Sequence, residues 1–439
     1  MRPKTAKAIL RKSIRELEQC KWLFCKDPEK DFSRKRKLSF AQMVESILCM
    51  GGSSLSNEMM DIFGFREDLA STSAFVQQRA KILPEAFETL FDLFSNHLTE
   101  TKTYRGFQLL AVDGSDLLIA ANPDDSESFF PGTENQKSYN LLHLNAFYDL
   151  LCHTYVDAIL QKRRCEDECG ALVNMTDRSP LEHVLLLADR GYESYNVLAH
   201  LQEKGWKYLI RIKNGNGGIV SGFALPATPE FDVPISLSLT NRQTNEAKDL
   251  LKDKNHYRVV PSTSRFDFLP KKSRKHDPMT FYPLSFRIVR FPISENTFET
   301  VITNLDTESF PASELKKLYA MRWGIETSFR ELKYTVGLQQ FHAKKTEFIH
   351  QEIFARLTMY NFYEVITQSV LIQQKNRKYA YKVNFSAAVH ICRQFFLRNL
   401  PPSCVEAMLA KHISPIRPGR SSPRKLKSKQ PFGFLYRIA

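Results

Sequence analysis

The sequence predicts a mixed α/β fold, and three features of its patterning lead to that prediction. Apolar residues recur at helical spacing from about residue 39 to about residue 100. From about residue 104 the period changes to two, as in the apolar stretch FQLLAVDGSDLLIA. Strand-like and helix-like segments then alternate up to residue 213, which is typical of a sheet covered by helices.

Residues 1–103 are predicted to be helical. The segments FAQMVESILCM, SNEMMDIFGF and LPEAFETLFDLFSNHL each follow the 3.6-residue period, and Gly/Ser-rich turns separate them. A further segment, STSAFVQQRAKI, begins with Ser and Thr residues of the kind that cap helices. Short helices with such turns indicate a small helical bundle.

Residues 104–213 are predicted to form the first part of the sheet. The strand FQLLAVDGSDLLIA is followed by a hairpin pair within YNLLHLNAFYDLLCHTYVDAILQ, both rich in β-branched and aromatic residues. We expect a helix over 166–178, a strand over 183–188, a helix over 194–205 and a last strand in WKYLIRIK. Strands and helices alternating in this way predict a mixed sheet.

The alternation stops over residues 214–296, where NGNGG, scattered prolines and PKKSRKHDP surround short β-like pieces such as SFRIVRF. We interpret this segment as a β-rich insertion. The α/β pattern resumes over 297–345, and 346–439 are predicted to be a C-terminal helical region with a basic tail. The segment HQEIFARLTMYNFYEVITQSVLI carries enough apolar surface to pack against either the core or a second subunit.

Positive charge is concentrated at the two ends of the chain. The net charge is +14; residues 1–38 contain 13 Lys/Arg against 5 Asp/Glu, and residues 411–439 contain 8 Lys/Arg and no acid. Basic ends indicate arms that lie along a polyanion, because each neutralised phosphate releases counterions. The tail RPGRSSPRKLKSKQ has no amphipathic face, so nucleic acid is favoured over a membrane surface; a solubilising tail is the alternative.

The helical region is therefore interpreted as a DNA-binding domain with a basic N-terminal arm. Its short helices are compatible with a helix-turn-helix, in which Gln77, Gln78 and Arg79 would contact a groove; an exposed helix face would suit them equally. No stretch approaches 18 consecutive apolar residues, and the N-terminus lacks the apolar core of a signal peptide. We expect no membrane association and a cytoplasmic, nucleoid-associated protein.

Two acids lie on apolar strands, each followed closely by a glycine. Asp113 lies in LLAVDGSD and Asp189 in LLADRGY. Ligand and metal sites in open α/β sheets lie just beyond the carboxyl ends of strands, which makes both acids candidates. A turn or helix cap is the alternative role for Asp189. Asp116 is a rival of Asp113, but three residues along a strand place it on the opposite face.

A third acid comes from YAMRWGIETSFRELK, residues 319–333. On one continuous helix, four of its polar residues share a stripe about 60° wide, beside an apolar stripe that would face the sheet. A solvated face with salt bridges is the alternative, and Gly324 marks a place where the helix could break. The polar stripe consists of Tyr319, Arg322, Glu326 and Lys333, with Arg330 at its border.

These residues together resemble the DDE transposases of bacterial insertion sequences, in the subgroup marked by the signature Y-x2-R-x3-E-x6-K (YREK). The resemblance covers about residues 104–340 and implies a ribonuclease H-like core interrupted by a β-rich domain. Asp113, Asp189 and Glu326 would be catalytic and would bind two Mg²⁺ ions, with Mn²⁺ as a substitute, since clustered carboxylates suit such ions. The residues expected to hold DNA phosphates are Tyr319, Arg322 and Lys333, together with the bordering Arg330.

The resemblance also implies a reaction and its partners. Water cleaves one strand at each element end, the freed 3′-hydroxyl forms a hairpin with the opposite strand, water reopens it, and the 3′-hydroxyl joins target DNA. A homodimer would hold the two terminal inverted repeats of double-stranded DNA in a synaptic complex. Related hairpin-forming enzymes stack a flipped base on a tryptophan of the insertion. This chain has no Trp between 214 and 300, and Phe298 lies near that place.

Two other functions fit the same residues. One is a ribonuclease H-like nuclease without strand transfer, and the other is a catalytically inactive, sequence-specific DNA-binding relic. Metal-dependent cleavage distinguishes the relic from both enzymes, and strand joining distinguishes the transposase from the nuclease.

Overall fold

The structure is a computed structural model that describes residues 1–34, 36–98, 100–134, 137–213, 218–242, 244–270, 279–373, 378–398 and 400–417. Most of the predicted basic C-terminal tail, from residue 418 onward, lies outside the described residues, as does the NGNG sequence at 214–217. Within the described part of the chain, no helix is both long and apolar enough to cross a membrane.

Helices and strands alternate broadly as the sequence predicts. The helices are α1 (Pro3–Gln19), α2 (Phe40–Cys49), α3 (Leu55–Phe63), α4 (Thr72–Arg79), α5 (Glu85–Asn96), α6 (Glu168–Arg178), α7 (Tyr195–Glu203), α8 (Asn245–Leu250), α9 (Ala312–Met321), α10 (Trp323–Tyr334), α11 (Thr346–Thr367), α12 (Phe385–Leu397) and α13 (Pro402–Lys411). The strands are β1 (Gln108–Ile119), β2 (Phe129–Phe130), β3 (Tyr139–Asp149), β4 (Thr154–Lys162), β5 (Val184–Ala188), β6 (Lys207–Arg211), β7 (Phe231–Thr240), β8 (Tyr257–Val259), β9 (Tyr282–Ser294), β10 (Thr297–Thr303), β11 (Tyr381–Val383) and β12 (Ile413–Pro415).

The start of the predicted basic arm is a docked helix. Helix α1 packs against α5 and α11 through an apolar stripe at helical spacing. The Nζ atom of Lys7 donates a hydrogen bond of 2.6 Å to the backbone carbonyl of Phe395 on α12. This part of residues 1–38 is therefore fixed to the body of the protein. The buried residues of the stripe are Ala6, Leu10, Ile14 and Leu17.

Arg79 lies neither in a groove-reading position nor on an exposed helix face. Its side chain is almost fully buried, and its Nη1 atom lies 2.9 Å from Oε1 of Glu352 on α11. Its Nε atom donates a hydrogen bond of 2.8 Å to Gln351. Both sequence-based interpretations of Arg79 are wrong, because this cation neutralises a carboxylate buried between α4 and α11.

One large mixed sheet forms the centre of the protein. Its strand order is β2-β3-β1-β5-β6-β10-β9-β7-β8, and β4 pairs with β3 outside this path. Strands β1, β3 and β4 are antiparallel neighbours, whereas β5 runs parallel to β1 and β6 runs parallel to β5. Strands β7 and β9 of the predicted insertion pair with each other, and β9 pairs with β10. The insertion therefore extends the central sheet.

The two faces of β1 are covered by different helices. Ala111 and Leu117 lie in the same core cluster as Ile325 of α10. Leu110 and Val112 lie in the other cluster, with residues of α6 and α7. Since successive residues of a strand point to opposite faces, odd-numbered positions of β1 face α10 and even-numbered positions face α6.

Helix α11 is buried on nearly all sides and forms the core of the helical part. It packs against α5, α2, α1 and α12 and against β4. The sequence left open whether this helix packs on its own core or on a second subunit. In the structure its neighbours come from its own chain, and its even distribution of apolar residues fits a helix surrounded by protein.

Candidate active site

Asp113 lies in the middle of β1, on the face that α10 covers. The backbone amide of Gly114 donates a hydrogen bond of 3.0 Å to its Oδ1 atom. The pKa of Asp113 is raised to about 6, chiefly by burial; the charges of Glu326 and Asp189 act in the same direction, and that of Arg322 opposes them. Because such charge effects weaken with distance, Glu326 and Asp189 both lie near Asp113.

Asp189 follows the last residue of β5, beside Asp113. Strands β1 and β5 are parallel, and Ala111 lies opposite Leu187. Asp113 and Asp189 each lie two residues further along, so the register itself brings them together. The Oδ1 atom of Asp189 accepts a hydrogen bond of 2.6 Å from the amide of Gly191, the middle residue of a short 3₁₀ turn that begins at Arg190. Asp189 is thus both a cap and a member of the acidic group.

Glu326 reaches the site from the first turn of α10. Ile325 and Phe329 are buried in the core cluster that contains Ala111, so α10 lies over the same face of β1 as Asp113. The Nη2 atom of Arg322 lies 2.8 Å from Oε1 of Glu326. A buried guanidinium thus holds the third acid in place.

The segment YAMRWGIETSFRELK does not form one continuous helix, as the stripe prediction assumed. Helix α9 ends before Arg322, and backbone hydrogen bonds around it join residues three apart, from Arg322 to Tyr319 and from Ile325 to Arg322. Gly324 lies at the break, where a Cβ atom would be 2.8 Å from Leu150. Low helix propensity and close packing at this glycine explain the tight turn.

Tyr319 and Arg322 lie together on the inner side of the break. The Cζ atom of Arg322 is 5.8 Å from the centre of the Tyr319 ring. The hydroxyl of Tyr319 and the Nε atom of Arg322 are buried and have no hydrogen-bond partner among the described residues. The pKa of Tyr319 is raised to about 12, chiefly by burial. Two buried donors without partners beside three acids indicate a place for an anionic ligand.

The two other predicted DNA contacts differ in placement. The Nζ atom of Lys333 donates a hydrogen bond of 2.8 Å to the backbone carbonyl of Asp116 on β1. Burial lowers the pKa of Lys333, and the charges of Asp116 and Asp113 oppose that effect. Arg330 is exposed on α10. The fold therefore brings six of the seven predicted residues together and leaves Arg330 at the surface of the same helix.

A second charged cluster lies on the opposite face of β1, and the sequence did not reveal it. His143 on β3 lies directly opposite Asp116, and its Nδ1 atom is 2.7 Å from Oδ1 of Asp116. Asp116, His143 and Glu166 each offer a ligand atom within 4.8 Å of the others. Arg163 forms ion pairs with both carboxylates of this group. Asp116 and His143 are neighbours because of the register between β1 and β3, and the sequence alone does not determine that register.

The comparisons with known proteins agree on one family. The family model described as "Transposase DDE domain" matches residues 104–362. This chain belongs to that family. The transposase is 23% identical over 345 residues to "Transposase InsG for insertion sequence element IS4" of Escherichia coli (strain K12), an alignment that covers 75% of this chain and 70% of the relative.

A solved structure also resembles the transposase. The cryo-EM structure of a piggyBac transposase synaptic complex with hairpin DNA covers 96% of this chain and 87% of its own, with a TM-score of 0.44 and 10% sequence identity.

The donor set of the site fits the divalent metal that the family implies. Asp113, Asp189 and Glu326 supply carboxylate oxygens, the ligands that Mg²⁺ prefers. The raised pKa of Asp113 reflects a partly buried carboxylate next to two others, an arrangement that a bound cation would relieve. The residues of the centre therefore suit a hard divalent cation.

Proposed function

We propose that this transposase moves an insertion sequence by metal-dependent cut-and-paste transposition of double-stranded DNA. Asp113, Asp189 and Glu326 would bind two Mg²⁺ ions, for which Mn²⁺ could substitute, in a ribonuclease H-like core of the YREK subgroup. The observation that carries the proposal is the meeting of acids from β1, β5 and α10 beside the buried guanidinium of Arg322.

Each part of the site has a role in this proposal. When bound, the metal ions supply an activated water at neutral pH and stabilise the leaving oxygen. The β1–β5 register holds Asp113 and Asp189 at a fixed spacing, which is what a two-ion site requires. Arg322 fixes the orientation of Glu326 through its ion pair. Cleavage, hairpin formation and strand transfer would all take place at this one centre.

The cations and Tyr319 would bind the DNA strand. The Tyr319 hydroxyl and the Arg322 Nε atom are buried donors without described partners, and phosphate oxygens are strong acceptors for both. Lys333 lies within reach of the acids, and exposed Arg330 would contact the backbone further along. The element's terminal inverted repeats and the target DNA are the proposed partners, held by a homodimer in the synaptic complex.

The hairpin step would need an aromatic ring that can receive an unpaired base. Phe298 on β10 is partly buried, and the Cζ atom of Arg290 lies 5.0 Å from the centre of its ring. An aromatic ring beside a cation can stack on an unpaired base. We therefore propose Phe298 as the residue that would receive a flipped base if a hairpin forms.

The test uses the purified full chain, Mg²⁺ or Mn²⁺, and duplex DNA that spans the boundary of the element encoding the gene. We expect wild-type protein to nick this DNA at the boundary and Asp189→Asn to bind it without nicking. A labelled target plasmid then reports strand joining. Nicking without joining would favour the nuclease, and binding without any metal-dependent nicking would favour the inactive DNA-binding relic.

A further inference from the structure

A fourth carboxylate approaches the site from the other face of the sheet. Glu168, the first residue of α6, lies where two glycines leave room for it. A Cβ atom at Gly114 would lie 2.6 Å from Oε1 of Glu168, and one at Gly191 would lie 3.3 Å from its Oε2. The same Cβ atom at Gly191 would also lie 3.3 Å from Oδ1 of Asp189. Glu168 therefore lies beside Asp189, where β5 has ended and the edge of β1 is open.

A chain of polar contacts holds Glu168 in this position. Its Oε1 atom lies 3.0 Å from Nε2 of His143, whose Nδ1 atom lies 2.7 Å from Oδ1 of Asp116. The side chain of His143 is only 5% exposed, so its ring has little freedom to turn. A carboxylate oriented by a buried imidazole, itself fixed by a second carboxylate, is typical of the surroundings of metal sites.

A buried hydroxyl also points to a ligand here. Tyr192 is 1% exposed, and its hydroxyl has no hydrogen-bond partner among the described residues. The turn that contains Tyr192 packs against α6, and burial followed by the charges of Glu168 and Asp113 raises the pKa of Tyr192. A buried hydroxyl without a protein partner suggests that a bound water or ion completes the site.

Glu168 is not needed as a helix cap. An acid in the first turn favours a helix through its dipole, but Asp167 already caps α6 by accepting a hydrogen bond of 2.8 Å from the amide of Gly170. The side chain of Glu168 instead extends toward Gly114 and Gly191. A Cβ atom at Gly114 would clash with Glu168 and His143, and one at Gly191 would be in tight contact with Glu168 and Asp189.

We propose that Glu168 is a further ligand of the divalent metal centre, next to Asp189, and that His143 and Asp116 are positioning residues for it. The inference rests on the proposed function, because it assigns a ligand to the same Mg²⁺ or Mn²⁺ site. It adds an acid from α6 to the three acids of β1, β5 and α10.

Binding of Mn²⁺ to the full-length, DNA-free chain tests this proposal, with free Mn²⁺ measured by electron paramagnetic resonance. We expect Glu168→Gln to weaken Mn²⁺ binding at least about tenfold and His143→Gln to weaken it by a smaller factor. Glu182→Gln is the matched control, since this exposed residue precedes β5 at the end opposite Asp189. Thermal unfolding of each metal-free variant shows that it is folded.

The outcomes separate this inference from the proposed function. If Asp113→Asn and Asp189→Asn lose Mn²⁺ binding while Glu168→Gln binds as wild type does, the role of Glu168 is overturned and the catalytic proposal stands. If Asp113→Asn and Asp189→Asn also bind as wild type does, or if wild type shows no saturable binding, both proposals are overturned. Weakened binding by folded Glu168→Gln, with Glu182→Gln unchanged, supports the fourth ligand.

Discussion

The Nη2 atom of Arg322 lies 2.8 Å from Oε1 of Glu326, across the break between α9 and α10. The Arg322 side chain is 4% exposed, whereas that of Glu326 is 30% exposed. The guanidinium therefore belongs to the protein interior, and the carboxylate lies at the boundary where a substrate can approach. This ion pair fixes the acid that α10 contributes to the group.

Loss of Arg322 is expected to impair catalysis more than folding. Arg322→Ala frees Glu326 to rotate and removes a phosphate donor, so we predict a fall in nicking rate of roughly 100-fold or more. Lys316→Ala, an exposed cation on α9, is the control and should nick at the wild-type rate. The rates are measured at saturating DNA and Mg²⁺. Equal rates for the two variants would contradict the role assigned to Arg322.

Gly114→Ala tests the close packing behind Asp113. The new Cβ atom would lie 2.3 Å from Nε2 of His143 and 2.6 Å from Oε1 of Glu168, so both side chains must move. We predict a loss of about 1–3 kcal/mol in the free energy of unfolding, the usual cost of overpacking. Ser115→Ala, at the next position of β1, is the control. Urea unfolding of both variants measures the effect, and an unchanged midpoint for Gly114→Ala would contradict the packing described.

The sequence predicted the α/β class, and the family comparison confirms the transposase assignment. Strand acids and the YREK spacing are local patterns, so Asp113, Asp189 and Glu326 could be selected without knowing the fold. The sequence left open a break of the helix near Gly324, and the packing of this glycine against Leu150 decides in favour of the break. Contacts between elements distant in sequence, such as Glu168 with Gly114 or Arg79 with Glu352, depend on register and docking, which sequence patterns do not specify.

The buried Arg79–Glu352 pair should be important for stability. Burial would raise the pKa of Glu352, but Arg79 and His342 lower it to about 2. Glu352→Gln leaves a buried cation uncompensated, so we predict a loss of about 3–5 kcal/mol in unfolding free energy. Because the folded-state pKa is depressed, this contribution is present above the unfolded pKa near 4.5 and is lost as pH falls toward 2. Glu347 is a partly exposed residue of the same helix. Glu347→Gln should lower the free energy of unfolding by less than about 1 kcal/mol.

Glu364, further along α11, should make the stability of the protein depend on pH in the opposite direction to Glu352. Burial, followed by the charge of Glu331, raises its pKa to about 8. A raised folded-state pKa favours folding while the group is protonated, so stability should decline from about pH 4.5 to 8, by at most about 1.4 kcal/mol per pH unit. Glu364→Gln should flatten this decline. Thermal unfolding across pH 5–8 measures it, and parallel curves for wild type and variant would contradict the prediction.

Acids from β1, β5 and α10 are proposed to act as one metal-dependent centre. The most direct test measures nicking of boundary DNA by Asp113→Asn, Asp189→Asn and Glu326→Gln, with DNA binding measured in parallel. Asp177→Asn, an exposed acid at the far end of α6, serves as the matched control. We predict that each of the three variants binds DNA but nicks it at least about 1,000-fold more slowly, while Asp177→Asn nicks as wild type does. Near-wild-type nicking by any of the three variants would show that the three acids do not form one catalytic centre.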